Sequence, residues 1–247
     1  MKLSASIMAH PDRADRVREL EAALDRPAAI AWDDEGPPSG SGDRVWRTAR
    51  RGWELADPDA DWHVLIQDDA LPCEDFLAGL ERALTYVPAD AVVSPYLGTG
   101  RNVPIRWEAM AGAADKAGVT WVKSQKLMWG VSIALPVALI PDMIQYANTR
   151  AGVPDDMRVA GWAERREHEV WYTWPSLVDH LQVPSLTKHK ARERVARRHH
   201  QGSALSIEWT GRALTDPMLA RRRPLRSGPS RVRSARRLHA EEGRNGA

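Results

Sequence analysis

The segment Trp62-His63-Val64-Leu65-Ile66-Gln67-Asp68-Asp69-Ala70-Leu71-Pro72 constrains this chain more than any other. Its apolar run, Val64 to Ile66, has the length and β-branched bias of a buried strand. The run stops at two adjacent carboxylates, Pro72 blocks its continuation, and Glu74-Asp75-Phe76 opens a helical pattern. Acids at the C-terminal end of such a strand sit where open α/β sheets place their ligands, in the crevice beyond the strand ends. Adjacent carboxylates repel each other unless a cation or a proton lies between them. Hard oxygen donors of this kind suit Mg²⁺ or Mn²⁺, ions that usually also touch substrate phosphates. A solvated strand-to-helix turn with acids capping the next helix fits the same residues.

The rest of the chain supplies the sheet this strand needs. Leu3–Ala9 reads as a first strand. Pro11 and Asp12 open a helix with Val17, Leu20, Ala23 and Leu24 on one face. Ala28–Trp32 predicts a second strand, and residues 33–43 a Gly-, Pro- and Ser-rich loop. Val45–Ala56 predicts a helix, His63–Ile66 the central strand, Phe76–Tyr86 a helix and Ala91–Tyr96 a strand. Residues 98–126 read as irregular and polar, with a helical stretch around Trp107 to Ala114 and a short strand at Trp121–Lys123. Leu127–Pro136 is apolar with Gly130 inside it, and a lone glycine in a strand often marks close backbone approach. Val137–Tyr146 predicts a helix, Pro154-Asp155-Asp156 starts another with acids in its first turn, and Glu169–Trp174 predicts a strand. This alternation predicts an α/β fold, a mostly parallel sheet flanked by helices. Neither G-x-G-x-x-G after the first strand nor G-x-x-x-x-G-K-[ST] occurs, which argues against a simple dehydrogenase or an NTPase.

Composition narrows the setting. The chain has 247 residues and is 43% hydrophobic, enough for one sizeable core. No stretch approaches the roughly 20 apolar residues of a membrane helix, so no transmembrane segment is expected. The N-terminus is too short and polar for a signal peptide. Cys73 is the single cysteine, which excludes an intrachain disulfide and a cysteine-based zinc site and points to a reducing, cytoplasmic setting. The 11 Trp against 1 Phe read mainly as core filling. Charge is uneven: residues 188–247 hold 16 Lys and Arg against 5 Asp and Glu, whereas residues 1–187 hold 19 against 28. The body is acidic and the end basic.

His10-Pro11-Asp12-Arg13 after the first strand, then Leu65-Ile66-Gln67-Asp68-Asp69 followed by Glu74-Asp75-Phe76, resembles a GT-A glycosyltransferase, a nucleotide-diphospho-sugar transferase. It is nearest to the family 25 type, whose strand ends in a Glu-Asp-Asp triplet. Small phage and actinobacterial glycosyltransferase-like proteins are similar in carrying Pro175-Ser176-Leu177-Val178-Asp179-His180, and 29 Arg against 6 Lys fits a GC-rich genome. The resemblance implies a domain over residues 1–190 using a divalent metal, Mn²⁺ or Mg²⁺, and a nucleotide-sugar donor, a UDP-sugar by expectation. It implies Asp69 and His180 as metal ligands, with His189 competing with His180. It implies Gln67, Asp68, His10, Arg13 and Gly130 as donor-binding residues, and Asp156 with Asp155 as the catalytic carboxylates. Gln67 departs from the family's first acid and supplies no charge. The acceptor, whether protein, glycan, lipid or modified DNA, is not legible.

For most of these residues a structural role competes: acids at 155–156 also cap a helix, Gly130 also serves packing, and His10 also serves as an N-cap. Residues 191–247 read as a basic, Arg-rich, largely disordered tail. Arginines with few aromatics suggest contacts to the phosphates of nucleic acid or to another anionic surface, or a solubilising extension. A nucleic-acid-binding protein with a degenerate transferase domain is therefore one competing reading, and a metal-dependent hydrolase or nucleotidyltransferase is another.

Overall fold

The computed structural model describes residues 1–34, 42–99, 105–182 and 194–215. In chain order the strands are β1 Leu3–Ala9, β2 Ala29–Trp32, β3 Trp62–Gln67, β4 Ala70–Pro72, β5 Val92–Ser94, β6 Trp121–Ser124, β7 Ser132–Pro136, β8 Val170–Thr173, β9 Val178–His180 and β10 Ala213–Thr215. The α-helices are α1 Ala14–Ala23, α2 Gly42–Glu54, α3 Phe76–Leu84, α4 Ile105–Ala117, α5 Ile140–Asn148 and α6 Asp155–Arg166. Eight strands form one sheet in the order β10-β6-β8-β5-β7-β3-β1-β2, and β4 pairs with β9 in a separate ribbon.

The expected α/β architecture is present, with a mostly parallel sheet. Strands β1, β2, β3, β5 and β8 run one way, whereas β7, β6 and β10 run the other. The C-terminal ends of five strands therefore share one edge of the sheet.

Alternation along the strands builds a core on each face. Leu3, Ala5, Ile7 and Ala9 of β1, with Val64 and Ile66 of β3, pack with α1 and α3 on one side. Leu65, Ile133, Leu135, Val170 and Tyr172 pack on the other side with α2, α4, α5 and α6. Eight tryptophans, Trp46, Trp53, Trp62, Trp121, Trp162, Trp171, Trp174 and Trp209, are buried, so core filling is the main use of this residue.

The basic end of the chain does not separate from the body at residue 190. Residues 191–193 lie outside the described residues, but 194–215 return to the body, where β10 pairs with β6 as the outermost strand. Ala204, Ile207 and Trp209 join the core, and Trp209 lies 5.2 Å from Trp121, ring centroid to centroid. Residues 216–247, with most of the arginine clusters, lie outside the described residues. No described helix is long and apolar enough to cross a membrane.

His63 is the one fully buried histidine of the central strand. Its Nδ1 lies 2.8 Å from Ser4 Oγ and its Nε2 2.8 Å from Ser6 Oγ and 3.1 Å from the Gly52 carbonyl. Burial lowers its pKa from 6.5 to about 4, opposed by the Gly52 carbonyl. The unfolded chain therefore binds the proton first as pH falls. The stability this contributes is complete above pH 6.5 and is lost as pH falls through about 4, a span worth roughly 3 kcal/mol. Urea unfolding of wild type and His63→Asn across this range checks it. The variant is expected to show a shallower fall, and parallel curves would assign the acid sensitivity elsewhere.

Candidate active site

The candidate site is built at the shared edge, from the chain segments that leave it. Strand β3 ends at Gln67, so Asp68 and Asp69 emerge there. The Asp68 backbone N–H donates to the Met8 carbonyl at 3.1 Å and that of Gln67 to Val131 at 2.9 Å, which holds the turn between β1 and the start of β7. The β4–β9 ribbon then sets Ala70 opposite His180, and the Leu181 N–H donates to the Asp69 carbonyl at 2.8 Å. His180, over a hundred residues away in sequence, is thereby fixed beside Asp69, with Nε2 3.6 Å from Oδ2.

The connection after β1 supplies the other side. Asp68 Oδ2 accepts from the His10 backbone N–H at 2.9 Å. Arg13 Nη1 donates to Asp68 Oδ1 at 2.6 Å and to Asp69 Oδ2 at 2.8 Å. Arg13 thus sits between the two carboxylates as the cation that adjacent acids require. One guanidinium against two carboxylates still leaves one negative charge. Burial pushes the Asp68 carboxyl above its ordinary pKa, with Arg13 opposing and the Asp69 charge adding. His10 caps the turn Pro11–Arg13, its Nδ1 accepting from the Asp12 N–H at 3.1 Å. The structural role weighed for His10 is therefore present, and its backbone, not its ring, meets Asp68.

A second group lies on the far side of Gln67. The β6–β7 loop is pinned by the Tyr172 hydroxyl, which donates to the Lys126 carbonyl at 2.6 Å and accepts from the Met128 N–H at 3.0 Å. Gly130 follows in that loop. A Cβ on Gly130 would stand 2.8 Å from Asp156 Cβ and 3.3 Å from Gln67 Nε2. Only a glycine leaves room for this approach. Gly130→Ala is expected to destabilise the fold by about 1–3 kcal/mol and to displace Asp156. Denaturant unfolding checks it, and an unchanged midpoint would mean that Asp156 yields freely.

Asp155 and Asp156 open α6 behind Pro154. The helix start is anchored by Arg158, 2% exposed, which donates to the Val153 carbonyl at 2.6 Å and the Ala147 carbonyl at 2.9 Å and pairs with Asp43. Asp155 is buried, and the nearby Gln67 side chain favours its carboxylate. Burial first, and the Asp156 charge second, push its pKa up. Burial also raises Asp156, against the Met157 N–H, which donates to Asp156 Oδ1 at 2.7 Å, and the charge of Arg194.

All nine candidates from the sequence thus meet at one edge: His10, Arg13, Asp68, Asp69 and His180 on one side of Gln67, and Gly130, Asp155 and Asp156 on the other. His189 lies outside the described residues. Three groups escaped the sequence reading. Tyr96 follows the end of β5, and its buried hydroxyl feels the charges of Asp179, Arg194, Asp69 and Arg197. Asp179 accepts the Ala196 N–H at 2.5 Å and so ties the 194–200 segment to β9. Arg194 approaches Asp156 from that segment. The rule that located Asp68 applies equally to Tyr96, which also ends a strand. Arg194 carried only the signal of a basic tail.

The residues fit a divalent ion in part. Two ligands about 2.1 Å from a common ion stand about 3–4 Å apart, and the Asp69–His180 spacing of 3.6 Å agrees. Among the described residues, Asp69 Oδ1 and His180 Nδ1 are buried without a hydrogen-bond partner. No described cluster of three or more His, Cys, Asp or Glu could hold a metal by itself. The donor set is thus one carboxylate and one imidazole, and phosphate oxygens would complete it.

No protein-family model matches the chain, and no curated protein matches it. Among solved structures, it is similar to a mutant of Drosophila β1,4-galactosyltransferase 7 in complex with manganese, UDP-Gal and xylobiose. The identity is 12%, 84% of each chain is covered, and the TM-score is 0.43.

Proposed function

We propose that this chain is a GT-A-like glycosyltransferase, near the family 25 type, that moves a sugar from a nucleotide-sugar donor to a hydroxyl acceptor with the help of Mn²⁺ or Mg²⁺. The observation that carries this reading is the meeting of Asp69, His180 and Asp156 at one sheet edge, although they are far apart in sequence. Asp69 and His180 would hold the ion. When bound, such an ion neutralises the diphosphate leaving group as a Lewis acid.

The chain's own groups account for the remaining work. Gly130 keeps Asp156 close to Gln67. Asp156 takes the proton from the acceptor hydroxyl as general base. Gln67 favours the Asp155 carboxylate next to it, and the two adjacent acids resist ionising together. Arg13 and Asp68 position the metal-side carboxylate.

The first test is thermal unfolding with UDP and Mn²⁺ together. At a hundredfold excess over Kd, ligand linkage stabilises by about 2.7 kcal/mol, roughly 5–10 °C for a chain of this size. If UDP, GDP and the other nucleoside diphosphates leave the midpoint unmoved, the transferase reading fails. Hydrolysis of the nucleotide sugar at the same rate without any acceptor would favour a hydrolase instead.

A further inference from the structure

Arg13 and an ion held by Asp69 and His180 compete for the same oxygen. Asp69 Oδ2 accepts from Arg13 Nη1 at 2.8 Å and is also the oxygen that faces His180 Nε2 at 3.6 Å. A divalent cation arriving alone meets a guanidinium already seated on both carboxylates, and like charges at such distances repel. A nucleoside diphosphate changes the balance. Its oxygens match the planar fork of a guanidinium and also supply the hard ligands the donor set lacks.

We propose that Arg13 is an internal, exchangeable cation. It neutralises the Asp68–Asp69 pair while no donor is bound, and it passes to the diphosphate as the divalent ion takes its place on Asp69. Metal and nucleotide then bind as a cooperative unit, and neither is favoured alone. This rests on the reading of the site as a nucleotide-sugar site. It accounts for two adjacent, nearly buried carboxylates with one charge left over, and for an arginine held by acids at a position expected from the sequence to bind the donor.

The test is the affinity of the full chain for Mn²⁺, read by the loss of the free-ion electron paramagnetic resonance signal, without and with UDP. For wild type, Mn²⁺ alone is expected to bind weakly, and UDP to tighten it on the order of 10- to 100-fold. Arg13→Gln removes the competing charge, so Mn²⁺ alone is expected to bind about tenfold tighter than to wild type, with most of the UDP effect gone. Arg13→Lys keeps the charge on a side chain one bond shorter, which stops short of the place where Nη1 meets both acids, and is expected to gain a smaller amount. Mn²⁺ binding to Arg13→Gln no tighter than to wild type overturns the proposal. If Arg13→Gln does not fold, an unchanged affinity in Arg13→Lys does the same. A gain in Arg13→Gln with no UDP effect in either protein leaves the competition standing and removes the nucleotide-sugar reading.

Discussion

Asp69→Ala is expected to abolish metal-dependent nucleotide binding while leaving the fold intact. Asp69 touches both Arg13 and His180 through its Oδ2. With a donor set of one carboxylate and one imidazole, loss of the carboxylate leaves His180 alone. Even removal of a group that only orients a ligand costs 10–100-fold in metal affinity, so removal of the ligand itself should cost on the order of 100-fold or more. The fold should survive because Arg13 keeps its 2.6 Å bond to Asp68 and one like-charge repulsion disappears. Calorimetric titration of UDP with and without Mn²⁺ checks this directly. Asp69→Asn separates charge from shape, since it keeps an oxygen toward Arg13 but not the negative charge. Unchanged Mn²⁺-dependent UDP affinity in Asp69→Ala would remove Asp69 from the metal site.

The strands that carry the site were legible because each ends abruptly. The apolar run through Ile66 stops at Gln67, and Leu3–Ala9 stops at His10-Pro11, so both turns could be placed at the C-terminal edge before any contact was known. The helix start at Asp155 was legible from Pro154 and its acids. What joins these pieces was not. The pairing of β4 with β9 spans three residues on each side, too short for any periodicity, yet it sets His180 beside Asp69. The reversed direction of β7 follows from its hydrogen-bonding to β3 and β5, a long-range choice that hydrophobic pattern does not encode. Arg13, expected to bind the donor, bridges two acids in this structure, because its distance to Asp68 is fixed by the parallel pairing of β1 with β3. The return of residues 194–215 was masked by basic composition, although Ile207 and Trp209, two apart in an otherwise polar stretch, carried a weak signal of burial.

Asp156→Asn is expected to lower turnover by about 100-fold or more, the usual contribution of a general base, and to leave donor affinity nearly unchanged. Asparagine preserves the shape, and its oxygen can accept the Met157 N–H that Asp156 Oδ1 accepts now at 2.7 Å. Asp156 touches neither Asp69 nor His180 through any described hydrogen bond or ion pair, so the metal side should not register the change. The pH profile gives a second readout. A base acts only when deprotonated, and burial raises the Asp156 pKa above its ordinary 3.8. Wild-type kcat should therefore fall, as pH drops, at a higher pH than an unperturbed carboxylate would give, and that limb should vanish from the residual activity of Asp156→Asn. Asp155 works through its neighbour. The Asp156 charge is the second cause of the raised Asp155 pKa, about 7, so Asp155 is still protonated while Asp156 titrates. Asp155→Asn, which replaces a neutral acid by a neutral amide, should leave the limb in place with a milder loss of turnover. The opposite ranking, with Asp156→Asn at full turnover and Asp155→Asn inactive, would exchange the two roles, and full turnover in both would take the proton transfer away from the start of α6 altogether.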